Sequence, residues 1–205
     1  MLNPSSIKSE IYLQHLAKDK NLLSLLSVPL PALGIKNNIP LRLMSSIISQ
    51  QLSVKVAAVI YSRFIELYNG KEPTAQQVLD TPAETLRSVG LSNAKVSYVY
   101  NVARFAVEEK LTDKKLQKME NEEIIRYLTQ IKGVGRWTVE MLLMFYLGRE
   151  DVFSIDDFGI QQAMIKLYKL DTTDKKAFRE KMLKISAKWS PYRSYACRHL
   201  WGHVV

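Results

Sequence analysis

Apolar residues recur three and four positions apart along nearly the whole chain, and glycines and prolines interrupt that rhythm mostly one at a time. Helices joined by short loops satisfy such a pattern, so an almost all-α fold is predicted. The rhythm begins at Leu13, Leu16 and Leu22 to Leu26, crosses a Pro29 to Pro40 connection that marks a lobe boundary, and resumes from Leu41 with Leu43, Ile47 and Ile48. Val56, Val59, Ile60, Phe64 and Leu67 form a separate helix with Ser53 as its N-cap, because a Ser hydroxyl accepts one of the amides that open a helix. Thr74 to Leu79 and Pro82 to Val89 read as short helices. Gly90 is a C-terminal cap ahead of a helix over Asn93 to Glu109.

The chain has 205 residues, 47% of them hydrophobic, enough to bury a core as one domain over 1–205 built from two helical lobes with a cleft between them. A central lobe over 41–110 and a second lobe of 1–40 with 111–205 are expected. A formal charge of +9 favours a polyanionic partner, nucleic acid or an anionic membrane surface. Met1 to Glu10 lacks the apolar stretch of a leader, and no later run approaches the roughly 18 apolar residues of a spanning helix. A soluble intracellular protein is therefore expected, in the cytoplasm or nucleoid of a bacterium or the nucleus of a eukaryote. The lone Cys197 excludes an internal disulfide and an all-cysteine metal cluster.

Asn121, followed by Glu122 and Glu123, reads as a helix start, and Ile124, Ile125, Leu128 and Ile131 mark its apolar face. Gly133-Val134-Gly135 breaks the helix, and Val139, Leu142, Leu143 and Tyr146 resume the period up to Gly148, a helix-hairpin-helix over 121–148. Two glycines allow positive φ and let backbone approach a ligand without a Cβ in the way. Free amides at the second helix's start form an anion site, with Lys132 and Arg136 adding charge. A plain αα-turn has the same glycines, so the tripeptide alone does not choose between structure and binding.

About twenty residues on, Asp151 to Ile155 reads as extended and delivers Asp156-Asp157 to the N-cap of a helix over Phe158 to Tyr168. Capping is the commoner task of such an aspartate. Here a hairpin precedes it at short range, and Trp137, Phe158, Trp189, Tyr192, Tyr195 and Trp201 surround it in sequence. The chain closes with Lys175 to Trp189, a break at Pro191, and a helix over Arg193 to His203.

Four ordered blocks then carry a family resemblance: Ile47-Ile48-Ser49-Gln50-Gln51-Leu52-Ser53-Val54, Val89-Gly90-Leu91-Ser92-Asn93-Ala94-Lys95, the run from Leu128 to Thr138 with Asp151 to Asp157, and Trp189-Ser190-Pro191-Tyr192-Arg193-Ser194-Tyr195-Ala196. From about Leu13 to its end the chain resembles the DNA-3-methyladenine glycosylase II family of the helix-hairpin-helix DNA glycosylase superfamily. The resemblance implies a two-lobed helical fold with a DNA-facing cleft and removal of alkylated purines from duplex DNA by base flipping in base excision repair. It places the catalytic aspartate at Asp157 rather than Asp156, and base-binding residues at Trp137, Met141, Phe158 and Tyr192.

The position after Gly-Val-Gly-Arg is a lysine in the superfamily's lyase branch. Here it is Trp137, which implies hydrolysis alone. The iron-sulfur cysteines of the endonuclease III branch are missing as well. Gln51 matches the wedge that fills the gap left by the flipped nucleotide, with Gln50 a competitor one register away. DNA contacts are implied at Lys132, Gly133, Gly135, Arg136 and Thr138, and Lys95 and Arg193 are further candidates for phosphates. Backbone carbonyls of Thr129, Ile131 and Val134 match those that hold Na+ or K+, and no other cofactor is required. Tyr192 and Met141 replace a tryptophan and a tyrosine of one bacterial relative, so the base pocket is altered. The expected partner is double-stranded DNA carrying a damaged base, met by a monomer and without a membrane. Three rival readings are a non-enzymatic hairpin module that only binds DNA, a kinase-type Asp157-Phe158-Gly159 tripeptide that lacks its companion motifs, and zinc held by Cys197, His199 and His203.

Overall fold

The computed structural model describes residues 11–204, with side chains through His203. The stretch 1–10, on which the expectation of no leader rests, lies outside the described residues. Among those residues the regular structure is helical: α1 (Ile39–Ser49), α2 (Val54–Glu66), α3 (Ala75–Leu79), α4 (Ala83–Ser88), α5 (Asn93–Glu108), α6 (Asp113–Gln117), α7 (Asn121–Leu128), α8 (Arg136–Phe145), α9 (Phe158–Tyr168), α10 (Lys175–Ser186) and α11 (Arg193–Val204). Helical turns also cross 11–16, Leu22–Leu25 and Ala187–Trp189. Ile35 and Leu147 form an isolated antiparallel bridge. None of these helices is long and apolar enough to cross a membrane.

Two compact units divide the chain, one of Lys36–Leu142 and the other of the described residues up to Ile35 together with those from Leu143 on, so that α8 runs across the division. The expected lobes drew the line elsewhere, and 111–142 belongs with the 36–110 segment. Side chains show why. The Asp113 carboxylate accepts the amides of Asn38 and Ile39 at 3.0 and 3.1 Å. Asn101 Nδ2 donates to the Lys132 carbonyl at 3.1 Å. The boundary itself falls inside the proline-rich connection, after Ile35.

In the Lys36–Leu142 unit, α1 packs on α2 and α5, and α5 on α3 and α4. Leu43, Met44, Ile47, Ile48, Phe64, Leu86, Val99 and Val102 are buried between them. Each such side chain contributes about 1.5–3 kcal/mol of burial. Ser53 caps α2 and Thr74 caps α3, the latter in a capping box with Gln77. For α7 the cap is Glu120, not Asn121. The Glu120 amide donates to Glu123 Oε2 at 2.8 Å, so Asn121 is already the first helical residue.

In the other unit α9 packs on α11, and α11 on the Leu22–Leu25 turn. The rings of Tyr12 and Tyr195 stack at 4.1 Å. Their hydroxyls accept the amides of Leu30 (2.6 Å) and Leu33 (3.3 Å), and Arg198 Nη1 donates to the Pro31 carbonyl at 2.7 Å. A loop without regular structure is thus held by side chains. Asp19 ties three segments together, accepting Trp189 Nε1 at 3.0 Å, Tyr168 OH at 2.7 Å and the amides of Asn21 and Leu22.

Candidate active site

Asp157 is built from its neighbours upward. The segment before it is pinned to α11 by Ser194, whose hydroxyl accepts the Val152 amide at 3.0 Å and donates to the Arg149 carbonyl at 2.7 Å. Gln161 Nε2 reaches back to the Ile155 carbonyl at 3.0 Å, and the Asp157 amide closes a turn on the Ser154 carbonyl at 3.2 Å. Asp157 then caps α9, as the sequence predicts: its Oδ1 accepts the Ile160 amide at 2.9 Å. The same oxygen accepts the indole N–H of Trp201 at 2.9 Å. The residue is 8% exposed.

The neighbouring carboxylate has another task. Asp156 forms an exposed ion pair with Arg179. Phe158, one residue past Asp157, is 74% exposed at the helix start. Tyr192 lies half-buried at the entry to α11, its ring edge-on to His15 at 5.4 Å and near Tyr195 at 6.3 Å. Arg193, a candidate phosphate contact in the sequence, turns instead onto Asp151, with Nε and Nη2 at 2.5 and 2.9 Å from its two oxygens. Burial alone would raise the Asp151 carboxyl, but hydrogen bonds from Arg193 and Ser190 outweigh it and hold it below its ordinary value.

The hairpin of the Lys36–Leu142 unit runs from α7 through Thr129 to Gly135 into α8. Gly133 has φ +105°, and a Cβ there would lie 2.6 Å from the Cβ of Tyr98. Gly135 differs from the expectation of two positive-φ glycines: its φ is ordinary, and a Cβ would meet nothing within 4 Å. The Gly135 carbonyl accepts the Val139 amide at 3.2 Å, which opens α8 beside an exposed Lys132. Trp137 is 44% exposed, and half-buried Met141 lies one turn along the same face.

Two implied DNA contacts are engaged within the chain itself. The Arg136 guanidinium donates to both oxygens of Glu122, at 2.5 and 3.2 Å, and to Oε1 of the buried Glu140 at 2.9 Å, so its charge is spent inside the hairpin. It holds the Glu122 carboxyl below its ordinary range. Thr138 as a whole is 2% exposed, so it presents almost no surface at the helix start. Lys95 likewise donates inward, to the carbonyls of Ile48 at 2.7 Å and Gln50 at 2.8 Å. Beyond that capped end Gln51 is exposed with φ +57°.

The Thr129, Ile131 and Val134 carbonyls are neutral oxygen donors on one turn, chemistry that suits a monovalent cation better than a transition metal. Ile131 also accepts the Val134 amide at 2.9 Å. Among the described residues no three His, Cys, Asp or Glu side chains gather as a metal site. Cys197 is buried, with its sulfur 3.8 Å from the Val152 carbonyl. The zinc reading therefore finds no site.

Ser194, Gln161, Gly159 and Trp201 are the residues to which sequence reasoning assigned no role in the site. Ser194 carried a signal through its place in the Trp189 to Ala196 block and Trp201 through its place among the aromatics, while Gly159 entered only in the rival kinase tripeptide and Gln161 carried none.

A family model described as HhH-GPD superfamily base excision DNA repair protein matches residues 44–188. A DNA-3-methyladenine glycosylase 1 of Schizosaccharomyces pombe is 35% identical over 201 residues, which cover 96% of this chain and 87% of that protein. Among solved structures, an S. pombe 3-methyladenine DNA glycosylase in complex with abasic DNA superposes with a TM-score of 0.80 at 33% identity, covering 93% of this chain and 95% of that one. A DNA-3-methyladenine glycosidase from Bacillus halodurans does so with a TM-score of 0.80 at 33% identity, covering 98% and 89%. A helix-hairpin-helix, a capped Asp157 downstream of it and these similarities agree, and the chain belongs to the HhH-GPD superfamily of base excision DNA repair proteins.

Proposed function

We propose that this chain is a monofunctional DNA glycosylase that excises alkylated purines of the 3-methyladenine type from duplex DNA. The observation that carries the reading is Asp157, a carboxylate fixed at the start of α9 by a backbone amide and an indole, in a chain whose relatives bear the name DNA-3-methyladenine glycosylase. A base within the stack offers no access to C1′, so the nucleotide must be extruded, and a damaged base costs least to unstack. Gln51, exposed beyond the Lys95-capped end of α1, suits the wedge better than Gln50, whose carbonyl is tied down. Trp137, Met141, Phe158 and Tyr192 are the residues assigned to the base. A cationic purine stacked on such rings gains a cation–π contribution of about 0.5–2 kcal/mol.

As the glycosidic bond breaks, the base leaves with the bonding pair and positive charge grows on the sugar, which the Asp157 carboxylate stabilises electrostatically until water adds at C1′ and gives up a proton. Trp137 stands where a lyase would need an amine nucleophile, so the product is an uncut abasic strand. Strand phosphates meet the amides that open α8, with Lys132 beside them, while Arg136 braces the hairpin from within. Carbonyls of Thr129, Ile131 and Val134 would hold Na+ or K+, which would supply positive charge at the turn. The enzyme acts as an intracellular monomer on double-stranded DNA.

Duplexes carrying 3-methyladenine, 7-methylguanine, hypoxanthine or ethenoadenine test this directly. Strand cleavage is expected only after alkali, and Asp157→Asn should slow the base release behind it by orders of magnitude, to a small residual rate. Intact DNA binding without base release from any duplex would leave the non-enzymatic hairpin module as the better reading.

A further inference from the structure

Gly159 is an unlikely residue for the first turn of α9 on propensity grounds, since its φ is ordinary and most other residues favour a helix more. Space explains it. A Cβ at 159 would lie 3.2 Å from Asp157 Oδ1, 3.2 Å from Trp201 Cδ1 and 3.5 Å from Trp201 Nε1. The missing side chain is what lets the indole reach the carboxylate. Trp201 comes from α11, 44 positions away in sequence, and its ring is itself placed by Phe145, at 5.8 Å between centroids and 30° between planes.

A capping carboxylate held only by its own helix keeps a broad choice of χ2. Here a second donor, from a different element, lands on the same Oδ1, at 2.9 Å like the first. An indole N–H can only donate, so it recognises the oxygen as an acceptor and offers no competing lone pair. Together the two donors fix the plane of the carboxylate before any substrate arrives, the condition under which electrostatic stabilisation costs no reorganisation.

We propose that Trp201 is the positioning residue of this site and that Gly159 is the glycine that admits it. The inference rests on Asp157 being the reacting carboxylate. Trp201→Phe keeps an aromatic ring and removes the donor. Its single-turnover excision from a 7-methylguanine or ethenoadenine duplex should fall about 10- to 100-fold, the effect of one hydrogen bond to a charged group. Affinity for an abasic duplex should stay at the parent value, and the protein should remain folded at the assay temperature with only a modest fall in its unfolding midpoint. In an Asp157→Asn background the same substitution should cost nothing further, because the two act as a unit. Gly159→Ala supplies an independent arm: a purely structural glycine would give a variant at least as stable and equally active, whereas the proposal expects slower excision at undiminished stability. Parent-like rates in Trp201→Phe or Gly159→Ala, or an undiminished Trp201→Phe loss in the Asp157→Asn background, overturn the proposal while Asp157 keeps its role. An Asp157→Asn single variant with a parent-like rate removes the premise instead, and the two failures are told apart by that variant alone.

Discussion

At Gly133 the backbone is left-handed and Tyr98 occupies the space of a side chain, whereas at Gly135, two residues on, φ is ordinary and the space is open. Gly133→Ala should therefore destabilise the protein by about 2–4 kcal/mol, from positive φ and overlap with Tyr98 together. Gly135→Ala should leave stability within about 0.5 kcal/mol. Its effect should appear in DNA binding, weakened about tenfold if a phosphate approaches the amides there, the equivalent of one charge-assisted hydrogen bond. Chemical denaturation and a duplex titration on the same two variants check both statements. The sequence shows two glycines and cannot show that one is demanded by packing and the other stands in open space, because the difference lies in Tyr98, 35 positions upstream.

Among the helices, α1 carries no basic residue in its last turn, and Lys95 from the start of α5 supplies the missing cation. Burial lowers the pKa of this ammonium from its ordinary value, yet it donates to two carbonyls at the negative end of a helix. Lys95→Met should cost about 1–2 kcal/mol of stability and speed hydrogen exchange at Gln50 and Leu52 selectively. Exchange spread evenly over the whole unit would contradict a local cap. Elements of this kind were legible where the cause is local. The bounds of α9, the cap at Ser53 and the cap at Asp157 follow from residues within one turn. The Lys95 cap, the Arg136 brace on Glu122 and the Trp201 hydrogen bond depend on angles between helices, which no spacing of residues encodes. The grouping of 111–142 with the preceding helices was missed for the same reason.

For the molecule as a whole, acid should act through few groups. Burial lowers the pKa of His199 below 6.5, more than its bond to Leu25 raises it, so the folded state resists a proton that the unfolded chain accepts. Stability from this group is complete above pH 6.5 and declines as the pH falls through the lower folded value. Asp19 behaves alike further down. Burial would raise it, but bonds from Trp189, Tyr168 and the Leu22 and Asn21 amides together hold it below 3.8, and its contribution disappears as those bonds lose their acceptor. Urea midpoints between pH 8 and pH 3 should fall in two stages, and Asp19→Asn should flatten the lower one. A midpoint that rises on acidification would contradict both assignments.

The pairing of Arg136 with Glu122 and Glu140, of Arg193 with Asp151, and of Lys95 with two carbonyls has a consequence for how tightly such a basic chain holds a strand. Affinity gained when lysines and arginines neutralise phosphates comes from small ions released from DNA, and it weakens steeply as ionic strength rises. Amides at the mouth of a helix displace few such ions. On the proposed reading, a hairpin whose guanidinium is already paired would grip the backbone through fixed dipoles, and its hold should outlast the salt that strips proteins bound by free lysines.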